Sequence, residues 1–398
     1  MYSSPMTEFL ILNELHPDEQ PGAATIALDY AQVLSMNSET LFMHTSKSLH
    51  TEQAELPTKY VSRKTRREAS GYLGELIRVG RDLFGIIEAR RYLREIRNVN
   101  PKKIWIHQIG NYIPRVLLLF LPSVAPVMMT VHDYSLIVPR KLYPRDLSRK
   151  QIESLNVKFE AHETSKFETF AGLFKKSVYK VRRLILRFYL RKVKLICISQ
   201  QQADIYRIFH YRVHAIIPNG IETCDCVNAS GLTRGSSVLF LGRITGKGVD
   251  RLLASLAKSG MEAVFAGGEE IGELLETYSG KLNAKFLGRL NRADVLKEIH
   301  KATFIYQASD CFDVYPTTGI EAIRHGAFPI VSDTTGLRDL VSLIEPSLVL
   351  NSTQNFVPLE SYVENLKLNG YELSKRLSQV NSRLSTIKQS LNSYLEIM

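Results

Sequence analysis

A chain of 398 residues is too long for one ordinary core, and a usual domain size of ~150 residues predicts two or three domains. With 44% hydrophobic and 23% charged residues it has the make-up of a soluble globular protein, which excludes extensive disorder. The formal charge of +11 is concentrated: residues 61–103 hold 12 basic and 5 acidic side chains, and residues 170–194 hold 9 basic and none acidic. Such local basic surfaces recruit anionic partners.

The 4 cysteines, Cys197, Cys224, Cys226 and Cys311, are too few for a disulfide scaffold. Cys224-x-Cys226 has neither the usual spacer nor a second ligand pair nearby, so no structural zinc is expected. These features predict a reducing, cytoplasmic setting. Phe9–Leu12 has no basic region before it and is too short for a signal-peptide core. The longest apolar stretch, Val116 to Val131, is broken by Pro122 and Pro126 and falls short of the ~20 residues of a membrane span.

In chain order, buried strands are predicted at Phe9–Leu12, Lys103–His107, Val127–His132, Leu195–Ser199, Val238–Gly242, Glu262–Gly267, Phe304–Gln307 and Pro329–Asp333. Each is a short apolar run, β-branched in part, that stops at a polar or small residue. Helices are predicted between them at Thr25–Leu34, Gly71–Arg97, Val249–Ser259, Arg292–Lys301 and Thr318–His325. Alternation of this kind implies parallel sheets covered on both faces, with ligands at the C-terminal strand ends. The polar stretch Glu222–Ser237 reads as a linker. The expected organisation is a domain over 1–221, a linker over 222–237, a second domain over 238–360 and a helical tail over 361–398.

Two segments carry chemistry. Val238-Leu-Phe-Leu-Gly-Arg-Ile-Thr-Gly-Lys-Gly248 is a strand that delivers Gly242, Arg243, Lys247 and Gly248 to a turn just ahead of a helix. Backbone amides, a helix dipole and two cations then converge, as a diphosphate requires. The spacing is not that of a P-loop, and no Gly-x-Gly-x-x-Gly signature follows the first strand. A surface pair on a loop is the plainer reading of Arg243 and Lys247. Further on, Asp313-Val-Tyr-Pro-Thr-Thr-Gly-Ile-Glu-Ala322 places two carboxylates eight residues apart across a turn rich in amides. Helix capping by Thr317 or Thr318, with Glu321 in the first turn, is the plain reading. The sharper one has the Thr317, Thr318 and Gly319 amides binding phosphate while Asp313 and Glu321 hold sugar hydroxyls.

Together with Ala266-Gly-Gly268, Phe286-Leu-Gly288, Gly326…Pro329, Cys197-Ile-Ser199 and Pro218-Asn-Gly-Ile221, these segments resemble retaining glycosyltransferases of family 4. The resemblance implies the α/β GT-B fold, two Rossmann-like domains facing a central cleft. In the first half it rests on Glu19-Gln-Pro-Gly-Ala-Ala24, His107-Gln-Ile-Gly-Asn111 and Thr130-Val-His-Asp-Tyr134 with Pro139-Arg140, as in bacterial surface-glycan members. The resemblance places Gly22 near donor phosphate and His132 near the sugar carbon undergoing substitution; taken singly, such a histidine is more often structural. It assigns Arg243 and Lys247 to the leaving diphosphate, Glu321 to donor ribose and Asp313 to the transferring sugar. No metal ion and no cofactor are expected beyond the nucleotide-diphosphate sugar, which is the donor substrate.

Asp313 departs from the family's usual Glu and is shorter by one methylene, ~1.5 Å of reach. The Arg243–Lys247 loop is also one residue shorter than usual. The implied acceptor is a hydroxyl of a glycan or lipid-linked molecule, in bacterial surface polysaccharide or glycoconjugate synthesis. Phe174, Val178, Val181, Ile185 and Phe188 follow helical spacing, with Lys175, Lys176, Lys180, Arg182, Arg183, Arg187, Arg191 and Lys192 largely on other faces. Residues 170–194 thus suit an anionic membrane surface, and a core helix with a solvated basic face is the alternative. The expectation is a cytoplasmic enzyme, peripheral on the inner face of the cell membrane. A non-catalytic glycosyltransferase-like subunit is the second reading. Nucleic acid has only charge in its favour and is not expected as a partner.

Overall fold

The structure is a computed structural model that describes residues 7–17, 19, 22–46, 56–62, 71–110, 112–137, 143–144, 170–222, 237–242, 244, 246–278, 280–351 and 356–398. The chain divides into two compact units. The first comprises Met1–Lys141, Ser148–Asn219 and Ile387–Met398, and the second Leu142–Leu147 and Gly220–Thr386. Most of the expected linker, 223–236, lies outside the described residues.

The first unit is a parallel sheet with helices between its strands. In chain order its elements are β1 (Phe9–Asn13), α1 (Ala23–Ser35), β2 (Thr40–His44), β3 (Thr58–Tyr60), α2 (Gly71–Phe84), α3 (Ile86–Val99), β4 (Lys103–Gln108), α4 (Leu117–Phe120) and β5 (Val127–Val131). The sheet order is β3-β2-β1-β4-β5, and it continues through β7 (Val193–Cys197) to β8 (Val213–Ile216). Helices α5 (Phe170–Tyr189) and α6 (Gln200–Ile208) precede those last two strands. β1 and β5 are buried at every position, which accounts for their unbroken apolar runs. Strand order reverses beside β1, so the loops after β1 and β4 flank the switch point where such sheets bind ligands.

The predicted helix Gly71–Arg97 is two helices. The chain breaks at Gly85, where a side chain would meet the Arg81 carbonyl at 2.5 Å. The core of this unit centres on Trp105, with Tyr30 stacked at 5.1 Å between ring centres and Tyr394 at 4.5 Å.

The second unit repeats the plan. Its elements are β9 (Ser237–Gly242), α7 (Val249–Ser259), β10 (Glu262–Gly267), α8 (Glu269–Glu276), β11 (Ala284–Phe286), α9 (Arg292–Lys301), β12 (Phe304–Gln307), α10 (Thr317–Arg324), β14 (Phe328–Ser332), α11 (Arg338–Ile344) and β15 (Val349–Leu350). The parallel order is β11-β10-β9-β12-β14-β15, which puts its switch point between β9 and β12. A two-stranded ladder of β13 (Cys311–Phe312) and β6 (Tyr143–Pro144) leads directly into Asp313. The apolar tail is α12 (Leu359–Asn381), interrupted by non-helical Asn369, and then α13 (Ile387–Ile397), which belongs to the first unit.

Candidate active site

In the second unit, β9 and β12 lie side by side and in parallel, so the loops at their C-terminal ends are neighbours. The first loop carries Lys247 and ends at Gly248, the residue before α7. Gly248 has φ +64, and a Cβ there would sit 2.5 Å from the Ala308 carbonyl oxygen and 3.0 Å from Tyr306 Oη. Only glycine lets the loop lie so close to the end of β12. Tyr306 Oη donates to the Gly248 carbonyl (2.7 Å), and Arg251 donates to the Ala308 carbonyl (2.7 Å) and pairs with Asp310 (3.0 Å). The Asp310 amide in turn donates to the Gly246 carbonyl at 3.0 Å. The two loops are stitched into one rigid surface.

On that surface Lys247 Nζ pairs with Asp313 Oδ2 at 2.5 Å, and Ser309 Oγ donates to the same oxygen at 3.1 Å. The side chains of Lys247 and Asp313 are 21% and 16% exposed, so the pair is within reach of a ligand. Gly242 closes β9 at φ +120, and Arg243 lies outside the described residues.

Helix α10 begins without a side-chain cap. Pro316, not Thr317 or Thr318, precedes it, because its φ of −65° suits a helix entry while its ring offers no acceptor. The plain capping reading of the two threonines is therefore wrong, and the first-turn amides have no capping side chain. Gly319 packs against Leu337, whose Cδ1 a Cβ would meet at 2.5 Å.

Glu321, one turn on, is only 5% exposed. Its Oε1 accepts from Arg292 at 2.7 Å, and its Oε2 is buried without a partner. Burial pushes this carboxyl up from the ordinary carboxylate range, Arg292 pulls it down and Glu222 pushes it up again. Thus Gly242, Lys247, Asp313, the Thr317–Gly319 turn and Glu321 all lie at the C-terminal ends of β9 and β12 or on the helix that follows β12 and β13.

In the first unit Gly22 precedes α1 with φ +94, and a Cβ there would meet nothing within 4 Å among the described residues. His132 follows β5, and its ring stacks on His107 from the end of β4 at 5.2 Å, with Nε2 3.0 Å from His107 Nδ1. Burial lowers the pKa of both rings, that of His132 to about 4, so each is neutral at physiological pH. A neutral imidazole offers a hydrogen bond rather than a charge. The histidine turn is held by Trp105 Nε1 donating to Thr130 Oγ1 (2.9 Å) and by Gln202 and Tyr206 donating to the Asp133 carbonyl (3.3 and 2.8 Å).

Three supporting groups have no signature in the sequence. Glu14 is fully buried, and its Oε1 accepts from the amides of Gly110 and Ile113 at 3.0 and 2.7 Å, tying the loop after β1 to the loop after β4. Asp82 on α2 takes the Arg115 guanidinium and amide (2.5 and 3.0 Å) and lies 3.4 Å from Arg182 on α5. Gly110, at φ +125, leaves the room that Arg115 fills: a Cβ there would sit 2.1 Å from its Cζ. Arg182 is thus buried, not on a solvated face as its place in the basic run suggests. The one legible hint is Glu14, an acid that closes the apolar run of β1; Asp82, directly after Arg81, reads as an ordinary charge on a helix.

Architecture and site together define a two-domain GT-B protein. Over residues 232–380 the chain matches the family model described as Glycosyl transferases group 1. No curated protein matches the chain. Among solved structures, the Anabaena protein Alr3699/HepE in complex with UDP and glucose is 15% identical, with a TM-score of 0.66 over 98% of this chain and 99% of that one. Sucrose-phosphate synthase from Thermosynechococcus elongatus is 13% identical with a TM-score of 0.69, over 98% of each chain. WaaG, a glycosyltransferase involved in lipopolysaccharide biosynthesis, is 12% identical with a TM-score of 0.64, over 98% of this chain and 99% of that one. The likeness to these structures establishes the GT-B fold across the whole chain.

Proposed function

We propose that the protein transfers a sugar from a nucleotide-diphosphate sugar to a hydroxyl of a glycan or lipid-linked acceptor, with retention of configuration and without a metal ion. The observation that carries this reading is the set of groups at the switch point of the second unit. A cation, an uncapped helix start and a buried carboxylate with a vacant oxygen lie on adjoining elements there. Each suits one part of a nucleoside diphosphate.

Breaking the anomeric bond puts negative charge on the leaving diphosphate and positive charge on the sugar ring. Lys247, Arg243 and the Thr317 and Thr318 amides stabilise the former, while the Gly319 amide, expected to join them, donates instead to the Pro316 carbonyl at 3.1 Å. Glu321 holds the ribose, and Asp313 faces the sugar. The acceptor hydroxyl attacks from the leaving-group face and passes its proton to the departing phosphate oxygen, so no enzyme nucleophile is required. His132, neutral, serves the reacting carbon through a hydrogen bond. Among the described residues no three His, Cys, Asp or Glu side chains gather to hold a metal.

The test is calorimetry with UDP, GDP, ADP and dTDP in the absence of metal. UDP comes first because the Anabaena neighbour holds it. One nucleotide should saturate the protein, and Arg243→Ala should weaken it. If none binds, the donor site is wrong; binding without turnover on any donor favours the non-catalytic subunit.

The same reading places the protein in the cytoplasm, on the inner face of the membrane, where bacterial surface-glycan acceptors are built. Helix α5 supports it through an exposed apolar row, Val181, Leu184 and Phe188, beside the basic residues Lys180, Arg183 and Arg187. No described helix is long and apolar enough to cross a membrane. With Arg182 buried, the charge to remove is that of Lys175, Lys176, Lys180 and Arg183. At ~1 kcal/mol per basic residue near an anionic surface, glutamine at all four should lower affinity for phosphatidylglycerol vesicles, read by pelleting, by about three orders of magnitude. Unchanged pelleting of the folded variant would remove the membrane role.

A further inference from the structure

The ion pair between Arg292 and Glu321 is lopsided. Arg292 is 58% exposed on its side chain, yet it reaches a carboxylate that is 7% exposed, at 2.7 Å. Arg292 is the first residue of α9, and the nearer acid, Asp294, is already committed to Asn291 at 2.7 Å and Lys297 at 2.8 Å. The guanidinium therefore spans from α9 to α10. Of the two Glu321 oxygens it takes one, and the other stays buried without a donor.

An ordinary surface salt bridge contributes little and needs no buried partner. A carboxylate this deep, with one oxygen fixed and the other vacant, is short of one hydrogen-bond donor. The α9 start follows the turn at Gly288, whose carbonyl accepts from the Gly267 amide at 3.0 Å, so it sits at the C-terminal ends of β10 and β11. β10 lies beside β9, so that edge adjoins the end of β9, from which the Lys247 loop leaves.

We propose that Arg292 is a positioning residue for the nucleoside end of the donor: its guanidinium holds one oxygen of Glu321 and leaves the other to accept a ribose hydroxyl. This rests on the donor-site reading above and names a residue which that reading does not need. Without Arg292 the carboxylate is free to rotate, and it loses the charge that opposes its burial. A protonated Glu321 turns one of its two acceptors into a donor, a poorer match for a vicinal diol. The diphosphate contacts, made by other residues, are untouched.

The experiment compares UDP, GDP and ADP with inorganic pyrophosphate on the full chain, in wild type, Arg292→Gln and Arg292→Lys. The glutamine variant should bind the preferred ribonucleotide about tenfold or more weakly, the range for a hydrogen bond to a charged group. Pyrophosphate affinity should not change, and the lysine variant should recover most of the loss. A parallel loss for pyrophosphate would mean that Arg292 merely braces the fold, and would overturn the proposal, as would unchanged nucleotide affinity or no recovery with lysine. If wild type binds none of the ribonucleotides, the donor-site reading falls and this proposal with it.

Discussion

Replacing Lys247 with alanine is expected to lower turnover of the preferred nucleotide sugar by about 10²–10³-fold, the usual cost of removing one donor aimed at developing charge. The charge arises on the leaving diphosphate, and Lys247 rides on a loop clamped to the β12 end by Tyr306, Arg251 and the Asp310 amide. Such a loop does not reorganise as the bond breaks, which is the condition under which a fixed cation contributes most. In the unliganded protein the ammonium rests on Asp313 at 2.5 Å, so a diphosphate must exchange with that carboxylate. Asp313→Asn should therefore act in the opposite direction on sugar-free nucleotide, tightening it roughly two- to fivefold, a magnitude set by a partly exposed ion pair. The same change should slow transfer, because the sugar loses its carboxylate. Steady-state kinetics and calorimetry on the two variants separate these effects; equal turnover in Lys247→Ala and wild type would sink the assignment.

Asp82→Ala should cost about 3–5 kcal/mol, because it strands two buried guanidinium groups, Arg115 and Arg182, whose shared anion it is. Burial already opposes the charge on Arg182, and Arg115 beside it opposes it further. Asp82, with the carbonyls of Ser135 and Leu136 and the nearby Tyr211, offsets that penalty. For a unit of this size such a loss lowers the melting temperature by roughly 6–20 °C. Trp105 is the chain's 1 tryptophan and lies fully buried in the first unit, so its fluorescence follows that unit alone. A shift of no more than ~2 °C in that signal would show that the arginines find other partners.

The strands that carry the site are legible because each is buried on both faces, which leaves an unbroken apolar run ending where the loop begins. β9, β10 and β12 fall within one residue of their predicted limits. The short edge strands β3, β11 and β15 escape notice because they are only half covered and two or three residues long. The loop chemistry of Lys247 and Asp313 is visible as a pattern of residue types, but their mutual pairing is not, since it depends on two strands far apart in sequence lying side by side. Arg182 is the sharper failure. Within a run of nine basic residues nothing marks the one that turns inward; its buried partner, Asp82, lies 100 residues upstream. Arg292 is missed for a related reason, reading as an ordinary first residue of a helix when its partner is a turn of another.

Tyr394 lies fully buried against Trp105 and Tyr30 and donates to the carbonyl of Ile217 at 3.2 Å, within the last twelve residues of the first unit. Ribosomal synthesis releases those residues only after the whole of the second unit, so the half that is made first is the half completed last. Until then the Trp105 cluster lacks one wall, and a nascent chain carries that apolar gap through the time needed to translate more than 160 residues, from Gly220 to Thr386. The fold thus has a built-in order: every residue of the second unit is made before the last twelve of the first, so the first unit waits for the end of the message.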